Sequence, residues 1–162
     1  MKLENVAATL ESCRFCLMCR HVDPVSHVTH NEALSPHGIA LVATSQKRGL
    51  LEWNQENVKV IYSDVDAGNA RAHCVTGKPF SEAVVAIKAD ITAQGFAPQS
   101  VYNLQKKLVE HGSPYGQDKL EAHKQKGDIA LFIGDEAHYL WPNSIDAALK
   151  LLKALGHKPV LV

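Results

Sequence analysis

Hydrophobic positions recur at helical spacing through most of this chain and then give way to short apolar runs. Leu3, Val6, Ala7 and Leu10 share one face of a helix predicted from Met1 to about Cys13. Ser35-Pro36, a cap followed by proline at the first helical position, opens another through Ile39-Ala-Leu-Val-Ala43. Asn54 is placed to cap a third, carrying Val58, Val60, Ile61 and Tyr62. Ser81 reads as the cap of a helix from Glu82 to Gln94 closed by Gly95. Pro98 starts the next, with Val101, Leu104 and Leu108 on one face and Gly112 at its end. Strand signals are absent up to this point.

Beyond Ser113-Pro114-Tyr115-Gly116 and a charged stretch from Asp118 to Lys126, the period changes. Ile129–Ile133, ending in Gly134, predicts a buried strand. Pro142-Asn143-Ser144 opens a helix with Ile145, Ala148, Leu149, Leu152 and Leu155 on one face, stopped by Gly156. Pro159–Val162 predicts a second strand, which completes a β-α-β unit with parallel strands. The predicted fold class is mainly α with a short C-terminal β-α-β unit, divided into residues 1–117 and 127–162. Two parallel strands and one helix cannot cover both faces of a sheet, so this segment is expected to lean on the helical part or on a partner. Both tryptophans, Trp53 and Trp141, are expected to pack.

Composition narrows the function classes. At 162 residues the chain has room for one domain or a small domain with an appendage. Its 17 basic and 17 acidic residues balance, which argues against nucleic-acid binding and against a polybasic membrane anchor. No apolar run approaches the roughly 20 residues of a membrane helix, so no transmembrane segment is expected. Met1–Asn5 lacks an apolar signal core, and cysteines spaced two residues apart suit a metal better than a disulfide. A cytoplasmic protein with reduced thiols is the expectation.

The four cysteines carry the chemistry. Cys13-x2-Cys16-x2-Cys19-x3-Asp23-Pro24 is the ferredoxin run with aspartate in the last cysteine slot. Cys74 closes a second run of the same spacing, whose other slots hold Asp64, Ala67 and Ala70. In two-cluster ferredoxins the last cysteine of each run ligates the cluster of the other run. That exchange gives Cys13, Cys16, Cys19 and Cys74 as four thiolates for one [4Fe–4S] cluster, one per iron. It leaves Asp64, Ala67, Ala70 and Asp23 as a second set without a thiolate. Backbone N–H groups of such a loop point at the sulfurs and tune the potential. The alternatives are a structural zinc site, Asp23 as a ligand of the same cluster, and a three-iron cluster with Cys74 merely buried. Zinc sites come more often as two C-x2-C pairs. Asp23, Asp64, Asp66 and His73 could hold a hard cation in the vacated half, against the plainer reading of solvated carboxylates or pairs with Arg20 and Arg71. His21 and His73 flank ligand positions, while His27, His30, His37 and His138 are scattered without ligand spacing.

These residues resemble the iron–sulfur subunits of the glycolate oxidase and heterodisulfide reductase type. The matching features are Cys13-x2-Cys16-x-Met18-Cys19-Arg20-His21, Ser35-Pro36-His37-Gly38, Ala67-Gly68-x-x-Arg71, Cys74-Val75-Thr76-Gly77 and Ser113-Pro114-Tyr115-Gly116. The resemblance implies an α-helical ferredoxin-like domain over 1–117, followed by the opening of a cysteine-rich CCG-like domain over 127–162. Ile133-Gly134-Asp135 stands where the family has Pro-Gly-Cys, so that domain's cysteine chemistry is not expected here. The implied function is electron transfer through one [4Fe–4S] cluster in a larger oxidoreductase complex, beside a flavoprotein partner that oxidises a small hydroxy acid. Gly134 stands alone after its strand, without a dinucleotide fingerprint, so the chain itself is not expected to hold a flavin. The alternative function is a non-redox assembly subunit whose cluster or zinc site only stabilises the fold.

Overall fold

Helices begin where the sequence offers a cap. In the computed structural model, which describes residues 8–116 and 126–162, Ser35 Oγ accepts the Gly38 N–H at 3.3 Å. Pro36 then takes the first position of the helix Pro36–Lys47. Asn54 and Asn57 form a reciprocal capping box on the helix Gln55–Tyr62, each side chain taking the other's backbone N–H. Residues 1–7 of the first predicted helix and most of the charged stretch before Lys126 lie outside the described residues.

The chain divides into two compact units, Met1–Pro98 and Gln99–Val162. In the first, residues 8–11 are helical and lead into a 3-10 turn over Met18–Val22. There follow α1 (Pro24–Thr29), a second 3-10 turn (Glu32–Leu34), α2 (Pro36–Lys47), α3 (Gln55–Tyr62), α4 (Asn69–His73) and α5 (Phe80–Ala93). Helix α3 packs against both α2 and α5. Ile39, Ile61, Ile87 and Ile91 are fully buried between them, with Val84 and a 95%-buried Trp53. Burial of side chains of this kind contributes roughly 1.5–3 kcal/mol each.

Helix α5 starts at Phe80, earlier than Ser81 predicts, and its start has no side-chain cap. Gly77, at φ 62°, turns the chain there, and Phe80 helps to line the cavity described below, so packing rather than capping sets this start. Gly95, at φ 85°, ends the helix: Phe96 N–H donates to Ile91 O and Gly95 N–H to Thr92 O, the hydrogen-bond pattern of a left-handed cap.

Gly38 is held by contact rather than by conformation. A Cβ there would sit 2.3 Å from the carbonyl oxygen of Ala33, where α2 lies against the Glu32–Leu34 turn. Because the obstacle is backbone, Gly38→Ala is expected to cost about 3 kcal/mol. The check is a lower denaturation midpoint with an unchanged dependence on denaturant concentration.

The second unit holds α6 (Gln99–His111), β1 (Ile129–Leu131), α7 (Asp135–Tyr139), α8 (Pro142–Ala154) and β2 (Pro159–Leu161). The strands pair in parallel with Ile129 opposite Pro159 and Leu131 opposite Leu161. Asp128 ties the start of this ladder, accepting Lys158 N–H at 2.6 Å with His157 Nδ1 at 3.2 Å. The Lys158 N–H is the main reason that its carboxyl titrates below the usual range. Trp141 corrects the sequence expectation of packing: it is 65% exposed, because a two-stranded sheet with short helices buries too little to cover an indole before Pro142. The architecture is thus mainly helical with one small parallel sheet. Among the described residues no helix is long and apolar enough to cross a membrane.

Candidate functional site

All four cysteines line one cavity in the first unit. They are free thiols: Cys13, Cys19 and Cys74 are half-buried and Cys16 is exposed. The cavity measures about 50 Å³, several times the roughly 10–15 Å³ that one water requires. Leu10, Leu17, Met18, Pro36 and Phe80 make most of the remaining wall apolar.

The two runs share one backbone path. The leading helix ends at residue 11 and α3 at Tyr62, each followed by a serine whose N–H donates back into the last turn at 3.0 Å. Cys13 N–H then donates to Leu10 O, and Asp64 N–H to Ile61 O, at the same separation in sequence. Phe15 and Asp66 are left-handed at φ 50° and 49°, and Leu17 and Gly68 at 63° and 72°. A short helix follows each, Met18–Val22 and α4. Asp23 and Cys74 close them with ψ 117° and 116°, their N–H groups donating to Arg20 O and Arg71 O. Even the arginines correspond: Arg20 pairs with Glu32 and Arg71 with Glu82. The short helices pack on each other, and Asn69 Nδ2 donates to Val22 O at 3.1 Å.

Left-handed backbone at Phe15 and Leu17 is costly for residues with a Cβ, on the order of 1–2 kcal/mol each. Glycine relieves that cost at only one equivalent position of the second run, Gly68. Loops of this kind gather backbone N–H groups on one side, where anionic groups bind. The first run thus carries two left-handed residues with a Cβ, Phe15 and Leu17, and the second carries one, Asp66.

N–H donors reach the sulfurs. Burial pushes the Cys19 thiol up, a His37 backbone N–H hydrogen-bonded to it acts the other way, and Cys13 and Cys16 reinforce the rise. At Cys74 burial also raises, but the Thr76 hydroxyl, 3.4 Å away, and the N–H groups of Lys78, Thr76 and Gly77 outweigh it. That thiol is held below its usual value. Among the described residues no three His, Cys, Asp or Glu side chains form a group able to hold a single metal ion. The donor set itself, four soft sulfurs with N–H groups around an apolar cavity, fits an iron–sulfur cluster better than a hard cation.

The second set of positions makes other contacts. Asp23, only 6% exposed, caps α1 by accepting Ser26 N–H at 2.6 Å, and it does not line the cysteine cavity. Asp23-Pro24 carries the same cap-and-proline signal as Ser35-Pro36, so this use was visible in the sequence. Lys88 Nζ donates to the Asp64 carbonyl oxygen at 3.0 Å. Burial pushes the Asp64 carboxyl up, opposed by the Asp66 N–H and Lys88, with Asp66 and Asp23 adding to the rise. Asp23, Asp64, Asp66 and His73 are not gathered into a metal-holding group, among the described residues. Arg20 and Arg71 pair with glutamates rather than with these aspartates. His21 and His73 are exposed and do not line the cavity, whereas His37, without any ligand spacing to mark it, does.

No protein-family model matches this chain, and no curated protein or solved structure matches it.

Proposed function

We propose that this chain binds one [4Fe–4S] cluster through Cys13, Cys16, Cys19 and Cys74 and works as an electron-transfer subunit of a larger oxidoreductase. The observation that carries the reading is the conjunction of cavity and repeat. Four free thiols from two runs of the same backbone path surround one apolar cavity, with the last thiol supplied by the other run. A bound cluster would supply reversible one-electron chemistry. The protein's part is to hold four thiolates, to direct N–H groups at them and to keep bulk water from most of the site.

Exposure at the loop tip favours a relay over a purely structural site. Cys16 is exposed, and Phe15 and Met18 beside it are 39% and 38% exposed, so a redox partner can approach the cluster edge. The partner we propose is a flavoprotein of the hydroxy-acid dehydrogenase type, on the strength of the motif resemblance. With a single site, that partner's redox centre must approach the Cys16 side directly.

The test is iron, sulfide and zinc analysis of anaerobically purified protein, with electron paramagnetic resonance after chemical reduction. About four irons and four sulfides per chain, with a signal that appears on reduction and vanishes on reoxidation, are expected. Stoichiometric zinc without sulfide would end the reading. A cluster that cannot be reduced reversibly would leave only its structural role.

A further inference from the structure

The start of α2 forms one wall of the cysteine cavity, and its polar groups are accounted for with one exception. Pro36 has no N–H, the Gly38 N–H is taken by Ser35 Oγ, and the His37 N–H is given to the Cys19 sulfur. The exception is the His37 side chain. Its Nδ1 is buried without a hydrogen-bond partner, although the residue lines the cavity. Phe15, whose backbone is left-handed in the loop between Cys13 and Cys16, meets the ring edge-on at 5.3 Å with the planes 78° apart. Behind it, Gly38 lets α2 lie against the carbonyl of Ala33. A buried, unpaired nitrogen on a residue that lines a sulfur-lined cavity is a group awaiting a partner, since buried polar atoms are nearly always hydrogen-bonded.

We infer that the His37 ring, protonated at Nδ1, donates a hydrogen bond to a sulfur of the bound cluster and acts as a positioning residue that raises its reduction potential. The inference rests on the cluster reading above. Its physical basis is that reduction places more negative charge on the sulfurs, so a fixed donor stabilises the reduced state more than the oxidised one. Removing the donor must therefore move the potential down, whatever it does to stability. Asparagine is the conservative variant, because its side-chain N–H₂ can occupy the region of Nδ1 and donate; leucine fills space without donating.

The experiment compares wild type, His37→Leu and His37→Asn. Iron and sulfide content is measured first, then the midpoint potential by a redox titration followed by electron paramagnetic resonance. A lower potential in His37→Leu, with the wild-type value largely retained in His37→Asn, is expected. Equal potentials in all three, at equal iron content, would overturn the role of His37 and leave the cluster reading intact. No iron and sulfide in wild type would overturn both. If His37→Leu loses its cluster, wild type labelled with ¹⁵N-histidine decides by pulsed resonance on the reduced state. A ring-nitrogen coupling that disappears in His37→Asn supports the assignment, and no histidine coupling in wild type overturns it.

Discussion

Cys74→Ser protein purified without oxygen is expected to lose the four-iron state, while Asp23→Ala protein keeps about four irons per chain. The pair separates two ways of reading one motif. A single run would recruit its own last position, Asp23. Exchange between two runs recruits Cys74 instead. Cys74 lines the cavity with Cys13, Cys16 and Cys19, and its sulfur receives the Thr76 hydroxyl and backbone N–H groups that a thiolate needs. Asp23 is absent from that lining, and one of its carboxylate oxygens is already occupied by the Ser26 N–H. Its loss should appear in the melting curve instead, as the roughly 1 kcal/mol of a missing helix cap. Iron and sulfide analysis of the two variants provides the check. Iron retained in Cys74→Ser and lost in Asp23→Ala would reverse the assignment. Serine at Cys13, Cys16 or Cys19 should each abolish the four-iron state, since every iron needs its own thiolate.

The variant Asp23→Cys/Asp64→Cys/Ala67→Cys/Ala70→Cys is expected to take up a second cluster on anaerobic reconstitution, raising iron from about four to about eight per chain. The reason is that the second run has much of the backbone path of the first without its thiols. Asp66 and Gly68 have the left-handed conformations of Phe15 and Leu17, and the α-helical α4 stands at the place of the 3-10 turn Met18–Val22. Two features oppose the gain. Asp23→Cys gives up the cap on α1, and Lys88 reaches the Asp64 carbonyl in the restored half. The first costs about 1 kcal/mol. The second is met by adding Lys88→Ala, which should increase cluster uptake if the ammonium obstructs it. Iron that stays at the parent level in both the four- and the five-substitution proteins would show that the second path no longer accepts a cluster.

Much of the helical skeleton was legible because local chemistry marks helix ends. Ser35-Pro36, Asn54, Gly95 and Gly156 each act through neighbours three to five residues away, so their effect is written in consecutive positions. The parallel strand pair was legible from two apolar runs separated by a helix-period segment. The start of α5 was misread at Ser81 because the Gly77 turn and packing of Phe80 outweighed a cap. Helix α7 was too short to show a period, and Trp141 was assigned to a core that two strands cannot build.

By itself the sequence determined which atoms are available: four thiols in two runs of equal spacing, three in the run that ends at Asp23 and Cys74 alone in the other. Spacing is a covalent property, and it survives without any knowledge of the fold. Tertiary structure alone decided that the four thiols line one cavity and that His37, whose Nδ1 is buried without a partner, lines it as well. Those outcomes depend on α2, α4 and the first cysteine loop meeting across residues far apart in the chain, where packing and backbone conformation set the distances and sequence separation does not.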